Sequence, residues 1–138
     1  MDDFRQAADL DDLTSHDTIA LARTAAEAIR GLNWTMNSEA GLNQPAVAYD
    51  IIAALSLAAS RLPQALAQIT RYLDRALAAG RLGHDLGEDP AHAVDAAGVF
   101  LSDARGSAAA LAGDLDAAQQ QLALVNGRPA RRNRKDQP

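Results

Sequence analysis

The sequence predicts an all-α protein, an elongated three-helix bundle built on a long antiparallel helical hairpin with coiled-coil-like packing. Three observations predict it. Apolar side chains recur in alternating steps of three and four from Val94 through Ala97, Leu101, Ala104, Ala108, Leu111, Leu115, Ala118 and Leu122 to Val125. Such a seam marks a long helix lying along a partner helix. A second seam of the same kind runs Ala48, Ile52, Leu55, Ala59, Leu62, Leu66, Ile69, Leu73, Ala76. Runs of β-branched residues are absent, which argues against sheet.

The first element is an arm. Residues 1–13 carry Asp2, Asp3, Asp9, Asp11 and Asp12, with Phe4, Leu10 and Leu13 between them. Acids at this density read as a flexible acidic arm. A helix follows over 15–34. Thr14 or Ser15 suits its N-cap, and Asp17 falls in the first turn, where the helix dipole favours a negative charge. Ile19, Ala22, Ala26 and Ile29 keep helical spacing, and Leu21, Ala25, Ala28 and Leu32 widen the stripe. Asn37, Ser38, Gly41 and Asn43 mark a loop over 35–44.

Pro45 opens the next helix, because its missing N–H needs no partner in a first turn. The second seam crosses Pro63 without losing phase. The spacing therefore predicts one helix over 45–79, kinked at Pro63, with Ser60 as the cap of a fresh helix in the alternative. Gly80 to Asp89 holds three glycines and reads as a turn. Asp89-Pro90 then gives cap followed by proline, the usual opening of a helix. The last helix is expected over 90–125, about 54 Å at 1.5 Å per residue. Gly98, Gly106 and Gly113 lie within it, fitting either close approach by a neighbouring backbone or tolerated surface positions. Asn126-Gly127 is a stop signal, and 128–138 is expected to be a disordered basic tail. The bundle domain is thus read as 14–127. The helix at 15–34 is too short to cover the hairpin, so part of a seam is left for a homodimer or another helical partner.

Composition narrows the function. The 138 residues suit one domain. Hydrophobic content is 48%, but much of it is alanine, so each core position buries little area. The absence of cysteine excludes disulfides, thiolate catalysis and zinc–thiolate sites. The acidic start has neither the basic nor the apolar region of a secretory signal. No run is read as approaching the roughly 18 apolar residues that span a bilayer, so the expected location is cytoplasmic. The net charge of −5 conceals a split. Residues 1–127 hold 8 arginines against 17 acids, giving −9, and 128–138 hold five cations against Asp136, giving +4. An acidic body is a poor match for nucleic acid, whereas the tail residues Arg128, Arg131, Arg132, Arg134 and Lys135 are candidate phosphate contacts.

Candidate chemistry is sparse. His84, Glu88 and His92 are spaced four apart, as ligands on a continuous helix would be, but Gly87 and Pro90 interrupt any such helix. With Asp85 and Asp89 they read as a polar turn with capping residues, so neither metal nor cofactor is expected. No glycine-rich phosphate cradle and no Ser–His–Asp arrangement is recognisable. The acid pairs Asp11-Asp12, Glu88-Asp89 and Asp114 with Asp116 read as solvated charges. The expectation is a non-enzyme without a small-molecule substrate and without a membrane partner. Trp34, the single tryptophan, is expected to anchor the first helix by packing, and a partner interface is its other reading. Tyr49 and Tyr72 read as flank packing. Trp34, Leu101, Leu111, Leu115 and Leu122 are the candidate partner interface.

The Arg-Leu-Pro-Gln stretch at 61–64, the Gly-Arg-Leu turn at 80–82 and Asp89-Pro90, with the alanine- and arginine-rich composition, carry a resemblance. The chain resembles small helical proteins of high-GC actinobacteria, some of them encoded with plasmid-like or integrated mobile elements. The likeness spans most of 15–125 and brings no catalytic motif. It implies a helical fold and, through the tail, a nucleic-acid-associated accessory role. The secreted WXG-type hairpins differ: Trp34-Thr35-Met36 lacks their turn glycine, and the positions four beyond Tyr49 and Tyr72 are Ala53 and Ala76 rather than acids. The leading expectation is a non-enzymatic helical interaction or assembly module, with the mobile-element accessory protein as the alternative.

Overall fold

The computed structural model describes residues 14–129, so the acidic arm at 1–13 and positions 130–138 of the basic tail lie outside the described residues. Three helices make up the described chain, α1 (Ser15–Met36), α2 (Pro45–Ala78) and α3 (Pro90–Leu122), with no strand among the described residues. The chain divides into two compact units, 1–43 and 44–138.

The first unit is built on α1. Thr14 is its N-cap and closes a capping box. The Asp17 backbone N–H donates to the Thr14 hydroxyl at 3.4 Å, and the Thr14 backbone N–H donates to the Asp17 carboxylate at 2.8 Å. Two donors that the helix itself cannot satisfy are thereby paired. The bonds from the Thr14 backbone N–H and hydroxyl hold the Asp17 carboxyl below its ordinary value of 3.8, against a small opposing effect of desolvation. The helix passes through Gly31 and ends at Met36, beyond the expected 34, because turn bonds begin only at Asn37, whose N–H donates to the Trp34 carbonyl at 3.3 Å. Gly41 packs against the loop backbone so closely that a Cβ there would collide with the Thr35 carbonyl. No residue of α1 is buried.

The second unit is an α-helical hairpin in which α2 and α3 pack together. Helix α2 is a single helix through Pro63 and is not split there. Ser60 caps nothing: its hydroxyl donates back to the Leu57 carbonyl at 2.7 Å. After Ala78 the chain turns through Gly80, at φ +69, with Arg81 N–H donating to the Ala76 carbonyl and Gly80 N–H to Leu77, each at 3.0 Å. This is the paired closure that a left-handed residue permits, and glycine adopts it without steric cost. Asp89 caps α3 by accepting from the Ala91 N–H at 3.0 Å, with Pro90 behind it. Helix α3 stops at Leu122 rather than 125, and Val125 lies beyond it, 50% exposed.

The helices run antiparallel. The Ser56 hydroxyl donates to the Ala112 carbonyl at 2.9 Å, and further along α2 a groove brings Thr70 and Asp74 beside Val94, Asp95 and Gly98. The buried residues are Ala59, Ala76, Val94 and Ala108. Around them Leu55, Leu66, Leu73, Leu101, Leu115 and Leu122 are half-buried.

The expected seams hold in part. In α3 the inward set runs Val94, Ala97, Leu101, Ala104, Ala108 as expected, then steps to Ala112, Leu115, Gln119 and Leu122. Leu111 is 49% exposed and Ala118 is exposed. In α2 the set steps from Ala59 to Pro63, Leu66, Thr70 and Leu73, leaving Leu62 at 47% and Ile69 at 48% exposure. The reason is geometric: a straight helix of 3.6 residues per turn drifts about 20° per heptad against a strict 3.5 repeat. The inward face therefore moves by one position midway along both helices.

One open alternative is decided and one expectation is corrected. A Cβ at Gly98, Gly106 or Gly113 would meet nothing within 4 Å, so no backbone approaches these glycines and they are open surface positions. Helix α2 contains an 18-residue window of mean hydropathy 1.3, long and apolar enough to cross a membrane by length and composition alone. Alternating alanine with leucine and isoleucine reaches that value without an unbroken run of large apolar residues.

Candidate functional site

Helix geometry sorts the surface of the hairpin into two flanks. At 100° per residue, the positions beside the seam on one flank of α2 are Ile51, Leu55, Ala58, Leu62, Ala65, Ile69, Tyr72 and Ala76. None carries a charge. On α3 the same flank holds Ala93, Phe100, Ser107, Leu111, Asp114 and Ala118, with Asp114 its one charge, and the inward Ala97 and Ala104 border it. In an antiparallel pair these two sets border one another across the seam. Leu62, Ile69, Tyr72, Phe100 and Leu111 stand out of it at 47%, 48%, 54%, 73% and 49% exposure. Ile69 and Phe100 come level, because Ser56 is level with Ala112 and each step up α2 is a step down α3.

The opposite flank is polar. Its groove is lined by Thr70, Asp74, Asp95, Gly98, Ser102 and Asp103, with Val99 as the large apolar side chain. Arg71 and Arg105 fall on the same side by their spacing. Leu57 is an exposed apolar residue away from the apolar flank, at 51%, and stands singly, as surface leucines commonly do.

The candidate interface residues fall into three places. Leu101, Leu115 and Leu122 are half-buried in the seam and hold the hairpin together. Leu111 lies on the apolar flank. Trp34 belongs to the first unit and is 82% exposed. It stands over a shallow depression lined by Glu27, Arg30, Asn33 and Asn37. Among the tail cations, Arg128 is exposed, and Arg131, Arg132, Arg134 and Lys135 lie outside the described residues.

The His84 region forms a turn. His84 Nδ1 accepts from the Leu86 N–H at 3.2 Å, and Nε2 lies 3.9 Å from the Glu88 carboxylate. Gly87, at φ +74, donates its N–H to the His84 carbonyl at 2.9 Å. Among the described residues no group of three His, Asp or Glu side chains is placed to hold a metal ion.

The residues that sequence reasoning missed are Phe100, Tyr72 and, as surface rather than seam, Leu62 and Ile69. One signal was available. Eight positions of α2 spaced four and three apart carry no charge, and all but Leu55 and Ala76 lie beside the inward set rather than within it.

Comparison of the chain with family models, curated proteins and solved structures gives no match.

Proposed function

We propose that the chain is a non-enzymatic, cytoplasmic helical module for protein–protein interaction or assembly, engaging itself or a helical protein partner. One observation carries this reading: the flank of the hairpin holding Leu62, Ile69, Tyr72, Phe100 and Leu111, each about half exposed or more and with no charge among them. A patch of this kind, on the order of 500 Å², lies in the upper range of what a monomer exposes in one place and marks a site of association. Two closures fit the reading. An elongated three-helix bundle with coiled-coil-like packing would supply a third helix from the same chain, and a homodimer would supply two. At 22 residues α1 spans ~33 Å against ~51 Å for the 34 residues of α2, so a third helix of that length closes only part of the flank.

The test uses the absence of cysteine in the chain. In an Ala65→Cys variant the single thiol sits in the apolar flank. Prompt maleimide labelling in dilute protein is the expected result. Protection at every dilution would make the flank an internal core and remove the reading.

The second reading is a nucleic-acid-associated accessory protein acting through Arg128, Arg131, Arg132, Arg134 and Lys135. Five cations within eight residues favour it. Fluorescence anisotropy of the full chain and a 1–127 truncation, titrated with salt on DNA and RNA, tests it. Binding that weakens steeply with salt and vanishes on truncation supports it, and no binding at low salt removes it.

A further inference from the structure

We infer that the apolar flank is the seat of a second copy of this chain, docked face to face and antiparallel so that α2 lies on α2 and the two hairpins form a four-helix bundle. The inference rests on the interaction-module reading and names its partner.

The pattern of the flank is self-complementary. Its positions on α2 are 51, 55, 58, 62, 65, 69, 72 and 76, a spacing that reads the same in both directions. A two-fold axis between Leu62 and Ala65 maps each position onto another of the set. Leu62 then meets Ala65 of the second copy, and Ala58 meets Ile69. In each case a large side chain is set over a small one, as knobs require holes. Leu55 meets Tyr72, and there Leu55 is already half sunk into the seam. On α3 the same axis passes level with Ala104, because Ser56 is level with Ala112. Phe100 of one copy then falls between Ser107 and Leu111 of the other. An isologous contact has this property: one patch serves both partners.

Electrostatics points to the same occupant. Residues 45–122 hold five arginines and nine acids, a net −4, so two copies repel wherever their charges approach. The stretch of the flank without charge, 51–76 on α2 and 93–111 on α3, is where they can touch, and Asp114 lies beyond its end. The acids Asp74 and Asp95 stand on the opposite side, so docking leaves a whole hairpin's width on each side between these acids of the two copies, beyond the screening length of about 8 Å. A lipid surface suits this flank less well. Helices that lie on membranes carry Lys and Arg on their polar face, and here acids outnumber arginines. The patch, on the order of 500 Å², is a large part of the ~800 Å² per partner that a standard interface buries. The hairpin by itself fully buries no large side chain, and stacking two of them supplies the core that each lacks.

Two single-cysteine variants of the full chain test the inference, Ala65→Cys beside the axis and Ala109→Cys on the polar flank, each treated with a short bismaleimide at micromolar protein. The expected result is a covalent dimer from Ala65→Cys and little from Ala109→Cys. Should Ala65→Cys lose helix content, Ser107→Cys on the same flank replaces it. Equal yields at both positions, or a monomer that co-sediments with phosphatidylcholine vesicles, would overturn the inference. A monomeric Ala65→Cys variant whose thiol labels promptly overturns the second copy and leaves the module reading standing. A monomeric variant whose thiol is protected overturns both.

Discussion

Replacing Ala59 by leucine tests how the hairpin is held. Ala59 is 3% exposed and stands level with Ala108, at 6%, three residues along α2 from Ser56 and four back along α3 from Ala112. Four small residues thus meet at one crossing, where the Ser56 hydroxyl reaches the Ala112 backbone at 2.9 Å. A side-chain bond to the backbone of a neighbouring helix needs that backbone within reach. Leucine at 59 adds three heavy atoms where there is no room, an overpacking cost of ~1–3 kcal/mol. Forcing the helices apart also breaks the Ser56 bond, a further ~1 kcal/mol. The sum, about 3 kcal/mol, corresponds to a fall in Tm of roughly 15 °C for a unit of this size. Circular dichroism at one fixed protein concentration measures it, with Ala54→Leu on the exposed back of α2 as the control, expected to change stability by less than about 0.5 kcal/mol. A double-mutant cycle with Ser56→Ala then shows coupling between the two sites. Equal melting of Ala59→Leu and wild type would refute the close crossing and with it the antiparallel level assignment.

Other outcomes follow from the same geometry. Leu115→Asp places a charge in the half-buried seam and costs about 2 kcal/mol in urea unfolding; an unchanged midpoint would show that Leu115 is not core. Gly80→Ala forces a side chain to φ +69 and lowers the stability of the hairpin by about 1 kcal/mol, seen as earlier thermal unfolding, whereas a nearby Gly83→Ala does not. The Asp17 carboxyl is held below 3.8 in the folded cap, so its contribution to α1 is complete above that pH and is lost as pH falls through the lower folded value. Amide exchange at the start of α1 speeds up over that acid range, and Asp17→Asn removes the effect.

Much of this architecture was legible in the sequence because caps and turns act locally. Thr14 with Asp17, Asp89 with Pro90, and Gly80 after α2 each act through their immediate neighbours, and each does what its residue type suggests. The seams were legible as far as Ala59 and Ala108. Past those points a strict heptad and a straight helix diverge, so Leu62, Ile69 and Leu111, expected inside, stand on the flank. The glycines of α3 could be read two ways because sequence spacing does not say whether a neighbour is there. Whether a surface receives the Trp34 ring is likewise a tertiary fact that its residue type does not give. The apolar flank is a property of two helices together. Half of it was present in the uncharged stripe of α2, and the other half needed the pairing of Ser56 with Ala112 to show which side of α3 joins it.

Sedimentation equilibrium of the full chain, alongside Ile69→Asp and Phe100→Asp, shows whether the apolar flank seats a second copy. The expected result is a concentration-dependent mass reaching twice the 14.5 kDa of one chain, with both flank variants held at the single-chain value and still helical. A wild-type protein that stays at one chain's mass, or variants that associate as well as wild type, would contradict it.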